Sequence, residues 1–423
     1  MKTNTYLALF ICFLVQLTAE AQYSLYGEVR PRTELYGGTN SRLINSGESV
    51  GVATQQRTRL YFSYMDTTTN LKIVFSPQLV HFWGQMPQAY DLLGDNAPTG
   101  PEANFSVFEA YAEYKATDWY TLKVGRQAIS YWDQRWFGAL GWAASGRAHD
   151  ALVNKLSFND VKIDVGVALN RVRHFQGVDS TAFTQIRGGY NSMQYIWATI
   201  PIGNLKVQTM VTNVINTESL TSTSVDYDNT TTFGIFPSYQ FGKVAINASA
   251  YWQTGQNDRS AYLYAFDFTY KGLGFPITLG ADIVSSDDPT TSDNEAWLQP
   301  FGTNHKFYGL MDFFYVGPGE SVGLNDFYIK SVLKTGEKSK IIGSVHNFYT
   351  NQDRENLEGE LESGSYGTEI DLIFDYAVSK GFNFKLGYST IFATDLLEAY
   401  KGGDSDEYNQ WAWMQLTFKP KFL

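Results

Sequence analysis

The sequence predicts an all-β fold: a transmembrane antiparallel β-barrel of about eighteen strands, with short periplasmic turns and long extracellular loops. Three observations predict it. The chain opens on an export leader, its strand-length segments alternate apolar and polar side chains, and its connections are tight and long by turns.

The leader comes first. Lys2 supplies a positive start, Tyr6 to Leu17 is a short apolar run, and Ala19-Glu20-Ala21 carries the small residues a signal peptidase reads. Residues 1–21 are therefore expected to be removed, leaving one barrel domain over 22–423. The apolar run is too short to span a bilayer as a helix. Cys12 is the one cysteine and sits inside the leader, so the mature chain is expected to carry no disulfide or thiol chemistry. Lys2 and Glu20 offset each other, so the net charge stays at −11 after cleavage. That balance argues against nucleic acid as a partner, because a phosphate-binding surface needs excess Lys and Arg.

Alternation gives the strands. "VKIDVGVAL" places Val161, Ile163, Val165, Val167 and Leu169 on one face and Lys162, Asp164, Gly166 and Ala168 on the other. "TEIDLIFDY" sets Ile370, Leu372, Phe374 and Tyr376 against Glu369, Asp371 and Asp375, and "FNFKLGYST" repeats the pattern. The eighteen segments lie near 23–36, 53–65, 70–82, 105–116, 119–128, 149–158, 161–170, 190–200, 204–215, 231–241, 244–254, 260–270, 275–285, 324–334, 338–349, 365–376, 382–391 and 408–419.

The connections decide between barrel and soluble sandwich. Every second one is a tight turn, such as "ND" at 159–160, "PIGN" at 201–204, "GK" at 242–243 and "SKG" at 379–381. Most of the others are long, as at 83–104, 129–148, 171–189 and 286–323. An even strand count lets both ends of the barrel sheet sit on the short-turn side. Closure has a physical reason, since in lipid every backbone N–H and C=O must be paired and only a closed sheet does that without helices. At this strand number the lumen can hold a channel rather than a packed core. "WAWMQLTFKPKFL" ends the chain on an alternating strand of the kind barrel proteins present to their insertion machinery.

Arginine is unevenly placed: eleven of thirteen precede residue 190. Between Lys123 and Arg173 there are eight Lys and Arg against four Asp and Glu, which makes this stretch positive in an acidic chain. Alternation pairs Arg30 with Arg32, and Arg57 with Arg59, on faces opposite Val29 and opposite Leu60 and Phe62. A lipid-facing arginine near mid-bilayer costs about 2–4 kcal/mol, so all four should point into the lumen. There a guanidinium can grip planar carboxylates bidentately, or it can pair with Glu28, Glu34, Asp133 or Asp150 and brace the wall.

The motif "GRQ" (Gly125 to Gln127), then "YWDQR" (Tyr131 to Arg135), "GW" (Gly141-Trp142) and "GRAHDA" (Gly146 to Ala151), resembles the alginate-export porin family. "GTNHKFYGLMDFF" from Gly302 and "GLNDFYIK" from Gly323 are similar to bacterial members. The resemblance implies a barrel in the outer membrane of a Gram-negative bacterium, embedded in its lipid. In the founding member such a barrel passes a polyanionic uronate polysaccharide through an arginine-lined conduit. It carries over Arg126, Arg135 and Arg147 as solute-facing positions, with Asp133 and Asp150 orienting them. Lys123 belongs to the same positive stretch. Trp142 and its aromatic neighbours would stack on sugar rings or pack the loops. The long 286–323 connection, with His305 and Lys306, would fold inward as a constriction.

The expected solute is anionic or sugar-like. The alternatives are a plugged barrel acting as an adhesin or structural protein, and a membrane-embedded hydrolase. Catalytic signals are weak: there is no His pair at metal spacing and no phosphate loop. No metal or cofactor is expected. Carboxylate groups such as Asp287-Asp288 and Asp404/Asp406/Glu407 read as solvated rims or loose divalent-cation sites.

Overall fold

The computed structural model describes residues 21–39, 42–84, 104–173, 183–185, 190–220, 225–256, 258–288, 291, 293–314 and 322–423. The expected leader over 1–20, Arg187 and the side chains of Arg171 and Arg173 lie outside what is described.

Eighteen strands form one antiparallel sheet that closes on itself. In chain order they are β1 (Ala21–Gly37), β2 (Gly51–Asp66), β3 (Leu71–Phe82), β4 (Asn104–Lys115), β5 (Tyr120–Gln127), β6 (His149–Phe158), β7 (Val161–Leu169), β8 (Ser192–Ile202) and β9 (Leu205–Leu220). They continue as β10 (Val225–Phe241), β11 (Val244–Gly255), β12 (Arg259–Tyr270), β13 (Ile277–Ser286), β14 (Val322–Lys334), β15 (Ser339–Tyr349), β16 (Ser365–Ser379), β17 (Phe382–Ala393) and β18 (Asn409–Phe418). Each strand pairs with its sequence neighbours, and β18 returns to pair with β1 through Val29↔Phe418 and Arg32↔Gln415. The eighteen predicted segments and their short-turn rim are all present. The seam is finished by the last residues, where Gly27 N–H donates to the Pro420 carbonyl and Phe422 N–H to that of Leu25.

The tight turns fold because their residues accept positive φ. Asn159 (φ 52°) and Gly242 (φ 54°) supply the left-handed positions that two-residue hairpins need. Outside the sheet, Val29, Leu60, Val124, Leu152, Leu372 and Leu386 are among the large apolar side chains left exposed, which gives the barrel its greasy belt. Near the short-turn rim, aromatic pairs stack on neighbouring strands: Trp119 on Phe158 and Phe382 on Phe418. Such girdles sit at the membrane interface, where an amphipathic ring is most stable.

Inward glycines shape the wall where rings lie flat on it. Tyr195 pairs in register with Gly166, Tyr328 with Gly280, and Trp413 with Gly387. A Cβ at any of the three glycines would meet the partner's ring at 2.1 Å. Only hydrogen fits, and the aromatic in turn covers the exposed glycine backbone.

Candidate functional site in the lumen

Two long connections fold into the barrel and pack on each other. The first runs from β5 to β6 and the second, over 293–314, from β13 to β14. Trp136 meets Trp297 and Phe301, and Phe137 stacks on Phe301 with the rings 10° from parallel. Gly138 N–H donates to the Phe301 carbonyl, and Thr303 N–H to that of Gln134. Arg147 Nη1 donates to the Gly302 carbonyl at 2.8 Å, and Lys306 Nζ to the Asp133 carbonyl at 2.8 Å. Trp136, Trp297 and Phe301 are buried to within 2% of full exclusion, so this is a packed seam and not a loose overlay.

The first loop is clamped to the wall by the arginines of β1 and β2. Five consecutive carbonyls, Gly141 to Ser145, are all claimed. Arg30 donates to Gly141 at 2.6 Å, Trp142 at 2.9 Å and Ala143 at 3.1 Å. Arg32 shares Trp142 at 2.7 Å, Arg57 reaches Ala143 and Ala144, and Arg59 reaches Ser145 at 3.1 Å beside Gln78 at 2.9 Å. The reason is bookkeeping of the backbone: a loop inside a barrel has no ladder partners, and its carbonyls must be satisfied by something. The small residues of "GWAAS" let guanidiniums reach them. All four arginines are buried and reach the inward loop. Their donors, however, are spent on the loop carbonyls and on neighbouring side chains of the wall.

Charge is a separate matter. Arg57 pairs with Glu28, and Arg32 with Glu34 at 3.0 Å. Arg30 and Arg59 bind neutral groups, namely the loop carbonyls, Gln78 and Tyr61. Hydrogen bonds to neutral acceptors leave a guanidinium charged. Among the described residues neither Arg30 nor Arg59 forms an ion pair, and Glu28 is already paired with Arg57 and Lys419, so this wall keeps a positive excess.

The remaining sequence-predicted residues fall into three groups. Arg135 is sealed: its Nη2 donates to both oxygens of Asp282 at 2.7 and 2.8 Å, and its Nε to Asp133 at 2.9 Å. Burial works against the Arg135 charge, but Asp282, Tyr308 and Asp133 more than offset it and hold the guanidinium ionised. Burial pushes the Asp133 carboxyl up, against the pull of Arg135. Trp142 stacks on His305 with centroids 4.5 Å apart, and the Arg32 guanidinium lies 3.7 Å over its other side. His305 is itself oriented by Asp312 at 2.8 Å. Lys123 points inward with its ammonium 3.9 Å over the Tyr111 ring.

Arg126 and Asp150 are a correction. They are register partners and form an ion pair at 3.3 Å. Their parity is that of Val124 and Leu152, which are exposed on the outer face of the barrel. The pair therefore sits outside, at the long-loop rim, and does not face solute in the lumen.

Sequence reasoning missed an acidic stretch of the wall. Asp282, Asp326, Glu369 and Asp371 are each no more than 2% exposed on the inner faces of β13, β14 and β16. Glu369 accepts the Met311 N–H at 2.8 Å and so holds the second loop, and Asp326 pairs with His346 at 2.8 Å. The signal was available for Glu369 and Asp371, which alternate with Ile370 and Leu372. Among the described residues no group of three or more His, Cys, Asp or Glu is placed to hold a metal ion.

The family described as alginate export matches residues 88–410. The chain belongs to that family. Solved outer-membrane proteins share its fold. The Pseudomonas aeruginosa outer membrane protein opdK superposes with a TM-score of 0.61 at 10% identity, covering 95% of this chain and 99% of that one. Pseudomonas aeruginosa OccK8 (OprE) gives 0.60 at 10% identity over 95% and 99%, and Acinetobacter baumannii OccAB4 gives 0.57 at 12% over 96% and 99%. No curated protein matches the sequence. This alginate-export family member is thus an outer-membrane β-barrel of the porin type, from a Gram-negative bacterium.

Proposed function

We propose that the barrel is a passive diffusion channel for anionic or sugar-like solutes, with uronate-type oligosaccharide or polysaccharide as the solute class its family suggests. One observation carries the reading: Arg30 and Arg59 keep their charge on the wall beside the inward loops while binding only neutral groups. In a confined lumen bounded by low-dielectric walls, such uncompensated charges raise the local concentration of anions. The clamping arginines have their donors occupied by the loop and the wall, which suits a conduit that must also release. Arg147 and Lys306 lie on the two loops where they meet, and we assign them to the solute path by that position. The terminal strand β18, extended to Phe422 and Leu423 along β1, suits recognition by the barrel insertion machinery.

The packed seam of Trp136, Trp297 and Phe301 favours one competing reading, a plugged barrel whose loops bind partners. Reconstitution into planar bilayers separates the two. A channel gives discrete current steps that uronate oligomers interrupt, whereas a plug gives a silent membrane.

A further inference from the structure

The inner wall of β11 and β12 and the first inward loop enclose a cavity of about 190 Å³, lined among others by Trp132, Asp133, Asn247, Ser249, Ala265 and Asp267. None of the loop-holding contacts described above uses Asn247 or Asp267. From its lining we infer a subsite for one uncharged pyranose ring, a deepening of the channel reading on which it rests.

The aromatic component is fixed in place. Trp132 has φ 50°, a backbone region that bulky side chains rarely adopt. The surroundings hold it there: its Nε1 donates to Ser249 Oγ at 2.9 Å, and its ring lies 19° from parallel with Phe236. Strain kept by several independent contacts concentrates at functional positions. A sugar presents one face of C–H groups that suits such a ring, and hydroxyls around its edge.

The polar groups match that edge. Asp267 Oδ1 accepts the Tyr328 hydroxyl at 2.7 Å, and the carboxylate retains capacity for more donors. Asn247 Oδ1 accepts from Ser238 Oγ at 2.8 Å, which leaves its amide N–H groups to donate. The cavity thus offers a carboxylate that accepts hydroxyl protons, an amide that donates to hydroxyl oxygens, and an indole between them. A uronate would bring its own carboxylate against Asp267, Asp133 being already paired with Arg135, and like charges at close range are unfavourable. A neutral ring meets no such opposition. The subsite therefore recognises hydroxyls, while the arginine wall acts on charge, and the two act at different places.

The test uses the full-length protein in planar bilayers, with maltohexaose as the neutral probe and a uronate hexamer for comparison. Maltohexaose should interrupt the current, and Asp267→Asn should weaken that block by about tenfold, the loss of one hydrogen bond to a charged group. Trp132→Leu should weaken it similarly, and Trp132→Phe should retain most of it, which separates ring stacking from collapse of the loop. For the uronate hexamer, Asp267→Asn should strengthen the block. The subsite is overturned if maltohexaose leaves the current unbroken, if its block is the same in Asp267→Asn and Trp132→Leu, or if Asp267→Asn weakens uronate and maltohexaose alike. Should the protein conduct nothing, the channel reading fails on its own. Calorimetry of maltohexaose with the detergent-solubilised protein then decides the subsite: heat of binding that Asp267→Asn removes supports it, and none overturns it.

Discussion

Two stretches of the lumen wall hold the inward loops by opposite chemistry. On β1 to β3, four arginines and Gln78 hold the five carbonyls from Gly141 to Ser145. On β13 and β16, Asp282 holds the Arg135 guanidinium and Glu369 holds the Met311 N–H. The arginine wall is redundant, because the carbonyls of Trp142, Ala143 and Ser145 each have two donors. The acidic wall holds the loops through two side chains, Asp282 and Glu369, and both carboxylates are buried. The difference teaches where the structure is vulnerable and where charge is left over. Losing a carbonyl contact leaves a neutral group that neighbours still satisfy, whereas losing a charged partner strands a buried ion.

Arg135→Met should therefore have the largest effect. It leaves Asp282 buried without its cation, a change worth about 3–5 kcal/mol. Unfolding in detergent, followed by the shift between folded and heat-denatured mobility on gels, would measure it. A loss under 1 kcal/mol would break the contrast between the walls, since the arginine side predicts that scale. Glu369→Gln comes next, at about 0.5–1.5 kcal/mol, the worth of one hydrogen bond to a buried acceptor. Its signature is faster hydrogen exchange at the Met311 amide, with exchange in the 141–145 segment unchanged. Arg32→Gln should cost about 1 kcal/mol or less, because Arg30 still binds the Trp142 carbonyl. A cost equal to that of Arg135→Met would show that the clamp is not redundant. Arg126→Ala should be the quietest: the reversal potential under a salt gradient stays where it was, because the side chain lies on the outer face beside Val124.

These contrasts also show what could be read from the chain alone. The strands were legible because a two-sided wall forces strict alternation and most tight turns carry an Asn or Gly. The inward side of Arg30, Arg32, Arg57 and Arg59 followed from the expense of placing them in lipid. Arg126 could have been placed by the same rule, since Leu122, Val124 and Arg126 share a parity. Its match to a family motif pointed inward while its alternation pointed out. The partners inside the lumen were not legible. Arg135 meets Asp282 across 147 residues, and nothing in either neighbourhood announces the other. Nor could the sequence tell that the arginines would spend their donors on carbonyls, because backbone demand appears only once a loop has been folded inward.

The central claim is that Arg30 and Arg59, bound to neutral groups, leave positive charge in the lumen and bias it toward anions. The most direct test compares the reversal potential of the wild-type protein with that of the Arg30→Gln, Arg59→Gln double variant under a potassium chloride gradient. The account predicts anion preference in the wild type and a clear shift toward cations in a variant that still conducts. An unchanged reversal potential in a folded, conducting variant would contradict it.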